Sequence, residues 1–291
     1  MQDQSWLDKN AYPFKQHYLG VPGGQLHYID EGQGDNVLFV HGTPTWSFLW
    51  RNQITALSKN YRCIAVDHLG FGLSEKPPNF SYSLEDHRDN LARLVEHLQL
   101  ENVTLVVHDF GGPIGLGWAV QQPEKVAKVV VLNSWMWPLT DVKPMMQASK
   151  LFGSRFGKFL YVNLNFSPKF LLPQAFYQKE KLTREVQQQY LGPFRKRKDR
   201  LGTWYFAKAL AGETPYFTSL YNQRHVLDGK PALVLWGTKD KLIPAPFLEN
   251  WRKTLPQLKV LEMETGHFLQ EEAPEKVTKA IQAFLEQPVL Q

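Results

Sequence analysis

The apolar, β-branched run Thr104-Leu-Val-Val-His108 meets the breakers Asp109-Phe110-Gly111-Gly112-Pro113, then resumes as the helical stretch Ile114 to Val120. A strand, a tight turn and a helix in that order hold one side chain, Asp109, at a strand tip. That is the geometry of a nucleophile elbow, and the residue usual at such a tip is serine. Here it is a carboxylate. A strand ending in this way under a helix belongs inside a covered sheet, so the flanking sequence must supply one.

It does. Gln25 to Asp30 alternates and ends in the turn residues Glu31-Gly-Gln-Gly34. Val37 to Val40, Cys63 to Val66, Val103 to Val107 and Lys128 to Leu132 are short and almost wholly apolar, as strands covered on both faces must be. Pro231 to Trp236 and Leu258 to Glu262 repeat the pattern later in the chain. Between them lie helical stretches at Ser47–Ser58, after Ser83 and at Ala273–Leu285. Ser83 reads as a helix N-cap with Asp86 three residues on. Leu84, His87, Leu91, Leu94, Val95 and Leu98 give helical spacing behind it. The alternation predicts an α/β fold, a mostly parallel sheet with helices on both faces. From Trp135 to Arg224 the alternation fails. That stretch is aromatic, helical in pattern and interrupted by prolines. The predicted organisation is a core made of residues 1–134 and 225–291, with residues 135–224 as a helical cap inserted over the strand ends. A chain of 291 residues is long enough for this.

Composition excludes several other classes. A hydrophobic fraction of 43% with 13% aromatics fits a packed enzyme and not a disordered chain. The net charge of +5 is modest. Its densest run, Phe194 to Arg200, reads as a solvated helix face, and no nucleic-acid-binding motif accompanies it, so no nucleic-acid partner is expected. The one cysteine, Cys63, lies in an apolar run and reads as a core residue. The N-terminal stretch carries acids and no apolar leader segment. No apolar run approaches the ~20 residues of a membrane span. The expectation is a soluble cytoplasmic protein with no membrane partner. No His/Cys ligand cluster suggests a metal or other cofactor, and none is expected.

Ligands of open α/β sheets bind at the carboxyl ends of the strands. Four such ends carry reactive or polar groups: Asp109, Asp240, His267 and the loop His41-Gly42-Thr43-Pro44. A carboxylate nucleophile can displace a leaving group at an sp³ carbon and form an ester. An imidazole at His267 can then take a proton from water, with Asp240 orienting it. The backbone N–H groups of Thr43 and Phe110 fall where an oxyanion would develop. His108 reads as structural, and His27, His68, His87 and His225 as locally bonded or solvent-facing.

The strings HGTPTWSFLWR, DHLGFGLSEKP, VVHDFGG, LNSWMWP, WGTKDKLIP and GHFLQEEAPE, in this order, resemble the haloalkane dehalogenase family of the α/β-hydrolase fold. They also resemble its relatives, the epoxide hydrolases and the β-lactone decarboxylases of olefin biosynthesis. The resemblance implies Asp109 as nucleophile, His267 as base and Asp240 as acid. In such a family the acid follows the sixth or the seventh strand, and Asn133 at the sixth cannot be anionic. It also implies a small hydrophobic substrate. The chain departs from the family at its halide donors: the positions of the usual tryptophan and asparagine hold Phe110 and Thr43. Trp135, Trp137 or Trp204 could return an indole donor, and Trp46, Trp135, Trp137, Trp204 and Tyr205 are the expected pocket aromatics. Halide hydrolysis is the leading expectation and epoxide hydrolysis the alternative, its acid donors coming from Tyr161, Tyr177, Tyr190, Tyr205, Tyr216 or Tyr221. A β-lactone substrate, or a ligand receptor without turnover, completes the set.

Overall fold

The computed structural model describes residues 4–287; residues 1–3 of the N-terminal stretch and 288–291 of the expected core range lie outside the described residues. Strands β1 (His17–Val21), β2 (Gly24–Glu31), β3 (Asn36–Val40), β4 (Arg62–Val66), β5 (Val103–Asp109), β6 (Val126–Ser134), β7 (Ala232–Gly237) and β8 (Leu258–Met263) form one sheet in the order β1-β2-β4-β3-β5-β6-β7-β8. β1 and β2 join antiparallel, and β3 to β8 run parallel. Parallel strands share one carboxyl edge. The loops after β3, β5, β7 and β8, which carry Thr43, Asp109, Asp240 and His267, therefore open on the same side.

Along β5 the side chains alternate between two cores. Val103, Leu105 and Val107 pack with the helices α2 (Leu84–His97) and α3 (Gly111–Gln121) on one face. Val106 packs on the other face, in the core that holds Ile54 of α1 (Arg51–Leu57) and Ile281 of α12 (Pro274–Leu285). Every residue of β5 is buried, which accounts for its continuous apolar sequence. Full burial of such a Val or Leu stabilises by about 1.5–3 kcal/mol. The expected cap at Ser83 is present, its hydroxyl accepting from the Asp86 N–H at 3.1 Å.

Between β6 and β7 come α4 (Lys143–Gly153), α5 (Arg155–Leu164), α6 (Leu172–Ala175), α7 (Arg184–Leu191), α8 (Leu201–Gly212) and α9 (Thr214–Gln223). α4, α5 and α8 pack on one another. Tyr161, Trp204 and Ala207 form a small cluster of their own, separate from both sheet cores. The two ends of the aromatic stretch behave differently. Trp135, Met136, Trp137 and Leu139, and Phe217 and Leu220 of α9, are buried in the sheet's own core. α9 is tied to α3 by the Tyr216 hydroxyl, which donates to the Pro113 carbonyl at 2.9 Å. After β7, α10 (Pro246–Thr254) and the short α11 (Leu269–Glu272) complete the chain in front of α12. Among the described residues no helix is long and apolar enough to cross a membrane.

Candidate active site

The elbow is held by crowding. Asp109 has φ of +50°, in the left-handed region that L-residues rarely occupy. Gly111 follows because a Cβ there would collide with the Val40 carbonyl oxygen. The Ser134 hydroxyl donates to the Asp109 carbonyl at 2.5 Å and fixes the turn from β6. One strand over, Gly42 lets the β3 loop lie against the Asp109 side chain, which a Cβ at that position would strike. That loop is braced from behind. His41 Nδ1 donates to the Gly42 carbonyl at 2.7 Å, and its Nε2 accepts from the His68 N–H at 3.1 Å.

These supports bring the predicted groups together. The Thr43 N–H donates to Asp109 Oδ1 at 2.9 Å. Asp109 Oδ2 lies 3.5 Å from His267 Nε2, too far for a good hydrogen bond. His267 Nδ1 meets Asp240 Oδ2 at 2.7 Å. Asp240 is itself saturated. Its Oδ1 accepts from the Leu242 and Ile243 N–H groups at 2.7 and 3.1 Å, and its Oδ2 also accepts from Asn133 Nδ2 at 2.5 Å. His108 Nε2 donates to the His267 carbonyl at 2.9 Å. The His267 N–H in turn donates to the Ala175 carbonyl at 2.9 Å, tying the loop to α6.

Electrostatics follow from this geometry. Burial disfavours a charged His267, but the carboxylates of Asp240 and Asp109 outweigh it and raise the imidazole to about 10. Burial opposes ionisation of Asp240, and the His267 charge and hydrogen bonds outweigh it, leaving the carboxyl below its usual range. His108 is hydrogen-bonded to no carboxylate, and the charges of Asp109 and Asp240 do not offset its burial. Burial, helped by the nearby His267, pushes it down to about 3, so it is a neutral structural donor at physiological pH.

Asp109 opens on an apolar cavity of about 190 Å³. Its wall includes Thr43, Phe110, Trp135, Phe152, Tyr161 and Ile243. Three larger clefts on the surface have no histidine in their walls. Of the expected pocket aromatics, Trp135 alone is in this wall. Trp46, at the end of the β3 loop, is buried against Trp6, Tyr12 and Phe48 with its indole N–H given to the Gln189 carbonyl at 3.0 Å. Trp137 packs on Phe247 and Trp251. The Trp204 indole donates to the Phe152 carbonyl at 3.0 Å, and Tyr205 stacks on Tyr82. For Trp204 and Tyr205 the placement depends on which face of α8 turns inward, and for Trp46 and Trp137 on the path of the loops after β3 and β6, neither of which aromatic content reveals.

The wall contains polar groups that could meet a leaving group. The Trp135 indole N–H and the Thr43 hydroxyl are buried without hydrogen-bond partners among the described residues. Burial is the one cause that raises the Tyr161 phenol, with no charge or hydrogen bond contributing. The hydroxyls of Ser149 and Thr203 are already given to the Ala207 and Arg200 carbonyls at 2.7 and 2.8 Å. The Thr43 hydroxyl is the group that sequence reasoning passes over, because attention falls on the missing amide at that position. Among the described residues no cluster of His, Cys, Asp and Glu is suited to a metal ion.

A mostly parallel eight-stranded sheet, a strained elbow on its central strand and reactive groups on the loops at one carboxyl edge define an α/β hydrolase. A family model described as the alpha/beta hydrolase fold matches residues 35–274, and the chain belongs to that family. It is 34% identical over 284 residues to a cis-3-alkyl-4-alkyloxetan-2-one decarboxylase of Shewanella oneidensis, covering 94% of this chain and 89% of the relative. It is 33% identical over 277 residues to haloalkane dehalogenase 2 of Mycobacterium tuberculosis, covering 94% of this chain and 96% of the relative. Among solved structures it resembles the haloalkane dehalogenase DatA of Agrobacterium tumefaciens, with a TM-score of 0.85 and 27% identity over 93% of this chain and 96% of the other. It is similarly close to haloalkane dehalogenase DbeA of Bradyrhizobium elkani, with a TM-score of 0.84 and 26% identity over 94% and 97%.

Proposed function

We propose that the protein is a hydrolase in which Asp109 attacks a small hydrophobic substrate and is released by water that His267 activates. The observation that carries this reading is the division of labour on one carboxylate. Asp109 Oδ1 is held by the Thr43 N–H at 2.9 Å, Oδ2 lies 3.5 Å from His267 Nε2, and the side chain borders the apolar cavity. For a haloalkane, a carboxylate oxygen bonds to the halogen-bearing carbon as the carbon–halogen bond breaks and halide leaves. The alkyl ester removes the charge of Asp109. One of the two carboxylates that hold His267 at about 10 is then neutral, so the imidazole becomes a usable base at the step that needs one. His267 takes a proton from water, and hydroxide adds to the carboxyl carbon of Asp109. The Thr43 and Phe110 N–H groups face the oxyanion, a donor of this kind contributing about 3 kcal/mol. Collapse expels the alkoxide, which takes the carboxyl proton. The products are alcohol, halide and one proton. Asp240 keeps His267 oriented throughout. We take α4, α5 and α8, with their separate cluster, as the cap over the site.

A second reading, an oxygen leaving group from an epoxide or β-lactone, is favoured by a specific observation. Phe110 and Thr43 offer no side-chain N–H, whereas the Thr43 hydroxyl is an O–H group without a hydrogen-bond partner among the described residues, and the buried Tyr161 phenol lines the same cavity. The alkyloxetanone decarboxylase relative points the same way. Turnover of a matched set containing a bromoalkane, a styrene-type epoxide and a β-lactone separates the readings. Halide release supports the first, and ring opening without halide turnover supports the second. Saturable binding of all three without product would overturn both and leave a receptor.

A further inference from the structure

Between Asp141 and Glu180 the chain carries Lys143, Lys150, Arg155, Lys158, Lys169 and Lys179 and no acidic residue. All six cations are exposed, and none forms an ion pair among the described residues. α8, which packs against α4 and α5, adds Lys208 and no acid. Large apolar side chains stand among these cations. Phe156 is 59% exposed, Phe159 53% and Phe170 51%, with Leu151 and Leu164 also exposed. Phe156 and Phe159 lie three apart on α5, on one helix face. Monomeric proteins rarely leave phenylalanines grouped in water without a use for them.

The same elements have a second apolar side. Ala148 and Phe152 of α4, Tyr161 of α5 and Leu171 line the cavity that holds Asp109. The layer is therefore one helix thick between the cavity and the exposed phenylalanines. Cations without acids, interleaved with exposed Phe and Leu, are the composition of a segment that lies in the headgroup region of an anionic bilayer. We propose that the outer face of α4, α5 and residues 167–171 docks on an anionic lipid surface, with the cap of the candidate active site toward the bilayer. This is surface docking and not spanning, so it is compatible with the lack of a membrane-length apolar run. That the bilayer then supplies apolar substrate rests on the function proposed above; the docking does not.

The test is co-sedimentation of the full chain with vesicles of phosphatidylcholine alone and of an equimolar mixture with phosphatidylglycerol. The protein should pellet with the mixed vesicles at low salt, and much less with phosphatidylcholine or at high salt. Lys150→Gln and Arg155→Gln should each weaken binding about fivefold, the effect of one basic side chain near an anionic surface. Phe156→Ser with Phe159→Ser should abolish binding while circular dichroism and turnover of a water-soluble substrate stay unchanged. Equal pelleting with both vesicle types, or unchanged binding of the phenylalanine variant, overturns the proposal. So does a dimer in sedimentation velocity that this variant splits, since the patch would then be covered by a second copy. Failure of docking with catalysis intact leaves the proposed function standing; loss of turnover in wild-type protein bears on the function alone.

Discussion

Asn133 Nδ2 donates to Asp240 Oδ2 at 2.5 Å, and that oxygen is the one that meets His267 Nδ1 at 2.7 Å. The side chain at the end of β6, which cannot be an anionic partner, braces Asp240 in the loop after β7, the acid of the mechanism proposed above. Its own Oδ1 accepts from the Gly237 N–H at 2.7 Å, which locks its orientation. A hydrogen bond to a charged group contributes about 1.5–3 kcal/mol. Asn133→Ala is therefore expected to lower kcat about tenfold or more, with a smaller change in KM. Asn133→Asp should do worse, because two carboxylates would share one oxygen's surroundings and one must protonate. Its pH–rate profile should be displaced relative to wild type, which simple loss of packing would not produce.

The raised imidazole has a consequence for stability. His267 sits near 10 in the folded chain because Asp240 and Asp109 outweigh burial, against about 6.5 when unfolded. A group whose folded value is raised stabilises fully below its unfolded value and loses that contribution as pH rises through the folded one. The urea midpoint of wild-type protein should therefore fall between about pH 6.5 and 10. In His267→Gln the same titration should be flatter over that window. Comparing the two cancels lysines and tyrosines that titrate in both.

The leaving group can be assigned by two conservative variants. Trp135→Phe removes an indole N–H that is buried without a partner, and Tyr161→Phe removes a phenol whose elevation burial alone explains. If halide is the leaving group, Trp135→Phe should depress bromoalkane turnover about tenfold and weaken bromide inhibition, with Tyr161→Phe nearly silent. If an oxygen leaves, Tyr161→Phe should carry the loss on an epoxide or β-lactone. Steady-state kinetics on matched substrates reads both.

Much of this was legible in the chain because the sheet is buried on both faces. β3, β4, β5 and β7 are short apolar runs ending in breakers, and no other element type fits them. β1 was not legible: its side chains are half-buried by turns and Gly20 dilutes the pattern. α10 was missed behind two prolines, Pro244 and Pro246. At the candidate site, the proximity of Asp109, Asp240 and His267 was legible because strand ends in a parallel sheet share one edge. Which tryptophan reaches the cavity was not, since Trp135 and Trp137 differ only in the direction they leave β6. The charge pattern from Asp141 to Glu180 was in plain sight, but its meaning depends on Phe156, Phe159 and Phe170 standing in water, which helical periodicity alone does not reveal.

The ester intermediate is the central claim, and trapping it is the most direct test. His267→Gln, exposed in turn to the bromoalkane, the epoxide and the β-lactone, should gain the mass of one substrate-derived group, and peptide mapping should place it on Asp109. Wild-type protein treated in the same way should carry none once the substrate is exhausted, because His267 is present to drive hydrolysis of the ester. No adduct from any of the three while wild-type protein turns one of them over, or an adduct mapped to a residue other than Asp109, would contradict nucleophilic attack by this carboxylate.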